Sequence, residues 1–127
     1  MEKAEKNKKL VLQLASKLSG RIKTEAVLRE FTDAENYIKG VLLHDKGFPG
    51  YHIFIESITA EGDDVIVEGI FRGEHRGEMY GVPPTYKTVE IPMMVRYRVR
   101  NNRIVEVFPL SDQMLLFEQL GILRTPS

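Results

Sequence analysis

The alternation of hydrophobic and polar residues is clearest between Lys87 and Asp112. From residue 89 to residue 100, apolar and polar side chains alternate almost without interruption, which is the period of a β-strand with one buried face. Asn101-Asn102 follows, and asparagine tolerates the positive φ angles of a two-residue turn. Apolar positions resume at Ile104. The pattern predicts a long β-hairpin whose outer face is basic, with Arg96, Arg98, Arg100 and Arg103.

The first part of the chain has the period of helices instead. Residues 3–18 and 24–31 each place their apolar side chains on one stripe. Thr32 and Glu35 have the spacing of a capping box, so a third helix is predicted to begin there and to end at Gly47. The residues expected to face inward are Leu10, Val11, Leu14 and Leu18, then Val27, Leu28 and Phe31, then Tyr37, Ile38, Val41 and Leu42.

Two further strands are predicted between these helices and the hairpin, over residues 51–59 and 64–74, with a turn at Glu61-Gly62-Asp63. A long connection rich in glycine and proline leads to the hairpin, and a short amphipathic helix ends at Gly121. Helices followed by an antiparallel meander are typical of an α+β fold. We therefore expect one domain over residues 1–127, in which a curved sheet packs on three N-terminal helices and encloses a pocket.

Composition narrows the possible functions. The chain has 18 basic and 18 acidic residues, and this balance argues against nucleic acid as the main partner. It has no cysteine, which excludes disulfides and thiolate chemistry. The first nine residues are charged with no apolar stretch after them, and no run approaches the roughly 20 apolar residues of a membrane span. These features predict a soluble, cytoplasmic protein that does not contact membranes.

Motifs of known chemistry are scarce. The three histidines lack the spacing of a zinc pair and no cysteine assists them, so we expect no metal site. A carboxylate on a strand, such as Glu68, could act as an acid or base if it faced an apolar pocket, or could simply face solvent. The arginines of the hairpin could bind an anionic ligand or an acidic partner, or could form a solvated face that protects the sheet.

Asp112 has two alternative interpretations. It lies between the end of the hairpin and the last helix, where Asp112 or Ser111 is a natural N-cap. Alternatively, its carboxylate could face the pocket and exchange protons with a ligand. The residue pattern alone does not decide between these placements.

One stretch resembles a known family. Residues 71–85 are similar to the strand and the G-x-H-x-G-E…G-(I/V)-P-P-T loop of SnoaL-like polyketide cyclases. The matching residues are Gly73, His75, Gly77, Glu78, Gly81, Val82, Pro83, Pro84 and Thr85. Similar matches occur in the I-A-E-G-D-x-V turn at residues 58–65, in the strand at residues 102–106 and in the D-x-x-x-L-x-x-Q-L-G ending at residues 112–121.

The resemblance implies a cone-shaped α+β barrel of the nuclear transport factor two-like superfamily. It also implies intramolecular aldol condensation or a related isomerase-type proton transfer on a small hydrophobic carbonyl compound, without metal or organic cofactor. Asp112 matches the family's acid/base and His75 matches a family histidine. We expect the pocket wall to include Tyr37, Glu68, His75 and Phe108, and we expect a homodimer through the exposed sheet face.

The chain also departs from the family pattern. Val107-Phe108 stands where the family usually has His-Trp, Pro109 follows, and the segment after the second helix is shortened. These departures favour an alternative function, a non-catalytic module of the same fold that binds an apolar ligand or forms dimers.

Overall fold

The structure, a computed structural model, describes residues 2–122. Within this part of the chain, no helix has the length and hydrophobicity needed to cross a membrane. The elements follow in the order α1 (Glu2–Leu18), α2 (Glu25–Arg29), α3 (Glu35–Gly47), β1 (His52–Glu61), β2 (Asp64–Glu74), β3 (Thr88–Arg100), β4 (Arg103–Ser111) and α4 (Gln113–Leu120).

The four strands form one antiparallel sheet in the order β1-β2-β3-β4. The predicted hairpin is confirmed as β3 and β4, and Asn101 and Asn102 form its turn with φ angles of 51° and 60°. The register shifts between Ile55 and Ser57 in β1, and again at Val105 in β4, which has no partner in β3. Such bulges bend a strand and increase its twist, which helps the sheet to curve around the helices.

The core lies between the concave face of the sheet and the helices. The alternating pattern of β3 places its odd-numbered residues, from Val89 to Val99, in this core. They pack with the apolar stripe of α1, which includes Leu14, and with Ile38 of α3. This arrangement is the α+β fold with a curved antiparallel sheet that the sequence predicts.

The predicted capping box at Thr32 is wrong. The N-cap of α3 is Ala34, which makes no side-chain cap. The Thr32 hydroxyl instead donates to the carbonyl oxygen of Ile104 at 2.8 Å and accepts the N–H of Ala34 at 3.0 Å. Thr32 is fully buried beside β4, so a tertiary contact replaces the local cap that its spacing suggests.

Candidate functional site

A cavity of about 560 Å³ lies between the concave face of the sheet and helices α1 and α3. Its lining is mostly apolar, and its exposed members mark the opening, namely Asn36, Tyr80, Pro109, Leu110 and Ser111. The apolar lining includes Leu14, Leu18, Val41, Phe48, Ile53, Phe71, Ile91, Met93, Val95, Val107, Pro109 and Leu116. An apolar concave site with a few polar groups is typical of small-molecule binding.

Three tyrosines from three elements contribute phenols to this cavity. Tyr37 is on α3, Tyr97 is on β3, and Tyr51 precedes β1. The rings of Tyr37 and Tyr97 meet edge to face, with centroids 6.2 Å apart. Burial raises the pKa of Tyr97 to about 12, although its hydrogen bond with Tyr37 acts in the opposite direction. Burial also raises the pKa values of Tyr37 and Tyr51, so all three phenols remain hydrogen-bond donors near neutral pH.

His44 and Tyr80 form a polar pair beside the opening of the cavity. Nδ1 of His44 lies 2.8 Å from the carbonyl oxygen of Gly40, and Nε2 lies 3.2 Å from the hydroxyl of Tyr80. The Tyr80 ring also packs edge to face against Phe117 of α4, with centroids 5.6 Å apart. Partial burial raises the pKa of Tyr80. Tyr80 therefore bridges α3 and α4 across the cavity.

A tight turn holds Tyr80 in place. The backbones of Met79 and Val82 exchange two hydrogen bonds, of 3.1 and 2.9 Å, around Tyr80-Gly81. Both central residues have positive φ angles, 55° for Tyr80 and 77° for Gly81. A large side chain rarely adopts this conformation, because its Cβ crowds the backbone. The fold thus maintains a strained backbone at a residue that contacts His44.

The turn is anchored to the C-terminal end of α3. The N–H groups of Arg76 and Gly77 both donate to the carbonyl oxygen of Gly47, at 2.9 and 3.1 Å. A Cβ at residue 77 would lie 2.0 Å from the carbonyl oxygen of Lys46. Only glycine therefore permits this approach, which fixes the connection between β2 and β3 against the helix that carries His44.

A buried ion pair fixes the same end of α3 from the other side. The side chain of Lys23 is fully buried, and its Nζ lies 3.7 Å from Oδ1 of Asp45. Nζ also donates to the carbonyl oxygens of Arg21 and Tyr51, at 2.8 and 2.6 Å, and lies over the Tyr51 ring. Burial lowers the Lys23 pKa to about 8, against the opposing effect of Asp45. The pair holds Tyr51 beside the cavity.

Of the residues predicted to line the pocket, Tyr37 lies in the cavity wall and His75 does not. His75 is fully buried beside Phe48. Its Nδ1 accepts the N–H of Thr85 at 3.1 Å, and its backbone bonds to Tyr86 and Lys87. His75 therefore joins the two ends of the long connection, which is a structural role.

The expectation that Glu68 and Phe108 line the pocket is wrong. Both side chains are exposed on the convex face of the sheet. Glu68 lies between Val67 and Gly69, which face the core, and Phe108 follows Val107, which lines the cavity. Successive strand residues point to opposite faces, so neither side chain can reach the cavity.

Asp112 occupies the N-cap of α4. Its Oδ1 accepts the N–H of Leu115 at 3.0 Å, and its side chain is exposed. It does not line the cavity, although its neighbours Ser111 and Gln113 do. Of the two placements that the sequence allows, the structure shows the helix cap.

Sequence reasoning missed His44, Tyr51, Tyr80 and Tyr97 as cavity residues. A signal existed for His44, because Tyr37, Gly40, Val41 and His44 have the spacing of one helical stripe. A signal also existed for Tyr97, because it is an odd-numbered residue of β3, like the other residues of the buried face. Over residues 2–122, His, Asp and Glu side chains form no group of three that could hold a metal ion.

Comparison with known proteins agrees with this architecture. Residues 32–120 match the sequence family described as SnoaL-like polyketide cyclase. The chain belongs to this family. Among curated proteins, none matches the chain significantly.

Similar solved structures include several relatives of this family. AclR from Streptomyces galilaeus, a candidate hydroxylase, has a TM-score of 0.83 and 21% identity, with 98% of this chain and 86% of AclR covered. A candidate SnoaL-like polyketide cyclase from Jannaschia sp. CCS1 has a TM-score of 0.81 and 22% identity, with 95% of each chain covered. IdmH from Streptomyces antibioticus, a candidate polyketide cyclase, has a TM-score of 0.75 and 26% identity, with 91% of this chain and 98% of IdmH covered. These likenesses support the shared fold and leave the reaction to be derived from the site.

Proposed function

We propose that this SnoaL-like protein binds a small hydrophobic carbonyl compound in the cavity and catalyses a polyketide cyclase-like reaction. The reaction is an intramolecular aldol condensation or an isomerisation that proceeds by proton transfer without a metal or organic cofactor. The observation that carries the proposal is the cluster of Tyr37, Tyr51 and Tyr97 in a mostly apolar cavity.

The phenols suit this chemistry because of where charge develops. When the carbon next to a carbonyl loses a proton, negative charge moves onto the carbonyl oxygen. Hydrogen-bond donors that are already in place stabilise that charge most strongly where water is excluded. Phenols with raised pKa values keep their protons and can donate hydrogen bonds to the oxygen.

Asp112 is a candidate acid/base because it matches the acid/base of the family. Its Oδ1 is engaged in the helix cap, while its two neighbours reach the cavity opening. A substrate that extends through this opening would bring a reacting carbon towards the Asp112 carboxylate. Asp112 is therefore retained as one proposed proton-transfer residue.

Binding can be tested with 2-naphthol, a fused-ring analogue of an enol whose fluorescence reports its environment. We expect wild-type protein to bind it. Tyr37→Phe and Tyr97→Phe should each weaken binding about fivefold, because one hydrogen bond contributes about 1 kcal/mol. Tyr86→Phe is the matched control, since Tyr86 is exposed outside the cavity. Equal affinities for all four proteins, or no binding at all, would contradict the proposal.

A second candidate function is non-catalytic binding of an apolar ligand. It is favoured by the cavity lining, which contains no Asp, Glu, Lys or Arg among the described residues. Exchange of α-protons separates the two functions. A pure binding module would bind a ketone without accelerating its exchange with solvent deuterium, whereas the proposed enzyme would accelerate it.

We also propose that the protein forms a homodimer through the convex face of the sheet. Exposed apolar side chains from all four strands lie on this face, namely Phe54, Ile66, Met94 and Phe108. Light scattering after size-exclusion chromatography should give the mass of a dimer for wild type and of a monomer for Met94→Asp. A monomeric wild type would reject this interface.

A further inference from the structure

The cavity wall contains one side chain of the type best suited to exchange protons near neutral pH. Histidine is that type, and His44 is the histidine among the described lining residues. No carboxylate lines the cavity in residues 2–122. A reaction that begins with removal of a proton inside this cavity therefore has His44 as the candidate base among the described lining residues.

The hydrogen bonds of His44 determine which nitrogen can accept a proton. A carbonyl oxygen only accepts, so the 2.8 Å contact with Gly40 requires a proton on Nδ1. In the neutral ring, Nε2 then carries the lone pair. Nε2 faces the hydroxyl of Tyr80, 3.2 Å away, and both side chains line the cavity. The basic nitrogen thus faces Tyr80 at the edge of the cavity rather than the backbone of α3.

The partner of Nε2 can be displaced. Tyr80 is about half exposed, and its hydrogen bond to Nε2 is long for an O–H donor to a ring nitrogen. The positive φ of Tyr80 is a second, independent sign, because strained residues are found preferentially at functional sites. Tyr80 therefore holds Nε2 at the edge of the cavity, and a ligand that enters there competes with Tyr80 for the Nε2 lone pair.

We infer that His44 is the base of this cavity, with Tyr80 as the residue that holds its Nε2 at the edge of the cavity; the inference rests on the proposed function. Nε2 takes the proton from the carbon next to the substrate carbonyl. The C–H electron pair forms a C=C bond, and the carbonyl oxygen becomes an enolate held by the phenols of Tyr37 and Tyr97. In an aldol closure the enolate carbon attacks a second carbonyl carbon, and the new alkoxide recovers the proton from His44.

The test uses 2-tetralone, a bicyclic ketone with acidic α-protons, in deuterium oxide. We expect wild-type protein to accelerate the loss of the α-proton signals in the ¹H NMR spectrum. His44→Gln should lower this rate about 100-fold, the usual contribution of a general base, while the affinity for 2-tetralone stays unchanged. His52→Gln is the matched control, because His52 is exposed on the convex face, and it should exchange at the wild-type rate.

A second measurement tests the inference without relying on the activity of a variant. Nitrogen NMR of the imidazoles should show that the neutral ring of His44 carries its proton on Nδ1 and not on Nε2, and the Nε2 resonance should shift when 2-tetralone binds. A protonated Nε2 in a neutral ring, or exchange in His44→Gln within twofold of wild type, would overturn the inference. Exchange that is lost in Asp112→Asn but kept in His44→Gln would overturn it and leave the proposed function standing. No exchange with wild type would overturn both.

Discussion

His44 and Asp45 are neighbours at the C-terminal end of α3, yet they face different surroundings. The Asp45 carboxylate is buried and accepts the backbone N–H groups of Lys23 and Gly50, at 3.1 and 3.0 Å, beside the Lys23 ammonium. His44 has one firm hydrogen bond, to Gly40, and directs its other nitrogen towards Tyr80 at the edge of the cavity. One turn of helix therefore carries a fully paired group and an available one.

This difference distinguishes residues that stabilise the fold from residues that are available to react with a ligand. A buried polar group whose bonds are all made has no capacity left for a ligand, and its removal leaves its partners unsatisfied. A group with one fixed side and one side facing a cavity is oriented and can still react. On this basis, loss of Lys23 or Asp45 should affect folding first, and loss of His44 should affect the reaction first.

The largest stability effect is expected at the buried pair. Lys23→Met should lower the free energy of unfolding by about 4 kcal/mol, because it leaves the buried Asp45 carboxylate without its counter-charge. Lys17→Met is the matched control, since it breaks a half-exposed pair with Glu30, at 3.0 Å. It should cost less than about 1 kcal/mol. Urea denaturation followed by circular dichroism measures both.

Similar losses of unfolding free energy in Lys23→Met and Lys17→Met would contradict the contrast between a buried pair and an exposed one. That result would mean that the Lys23 ammonium is solvated in the folded protein and that its contacts with Arg21 and Tyr51 contribute little. His44→Gln in the same assay should stay close to wild type, because its side chain reaches the cavity rather than the buried pair.

The cavity phenols predict a smaller effect at alkaline pH. The pKa of Tyr97 is about 12 in the folded state and about 10 in an unfolded chain. The unfolded state therefore loses its proton first, and stability should fall as pH rises from about 10 to about 12. The two-unit difference corresponds to about 3 kcal/mol. Tyr97→Phe should show a shallower loss of stability over this range in urea denaturation, and identical pH profiles would contradict the burial of this phenol.

Much of the fold could be predicted because the sequence patterns that indicate its strands and turns are local. Alternation over residues 89–100 identified β3, and Asn101-Asn102 identified the turn. The same alternation does not reveal which residue of a neighbouring pair faces inward where the register is uncertain. Alternation alone therefore does not indicate that Val107 lines the cavity and Phe108 does not. Thr32 shows the reverse case, in which a long-range bond to Ile104 replaced a local cap.

The candidate site was harder to predict, because it depends on contacts between distant segments. The pairing of His44 with Tyr80 joins residues 36 positions apart, and Lys23 meets Asp45 across α2 and most of α3. No motif of adjacent residues indicates either contact. Asp112, by contrast, lies in a local pattern that indicated both a helix cap and a family acid/base, and the pattern could not decide between them.

The smallest expected effect is at Asp112, where stability and activity can be separated. Asp112→Ala should cost about 1 kcal/mol, the usual contribution of an N-cap, whereas Asp112→Asn should stay within a few tenths of wild type because asparagine also caps helices. Thr24→Ala, at the N-cap of α2, is a matched control for the cost of a lost cap. If Asp112 serves only as a cap, Asp112→Asn should also keep the wild-type rate of 2-tetralone exchange, because the base lies on α3. A stable Asp112→Asn protein that no longer exchanges would identify Asp112, and not His44, as the proton-transfer group.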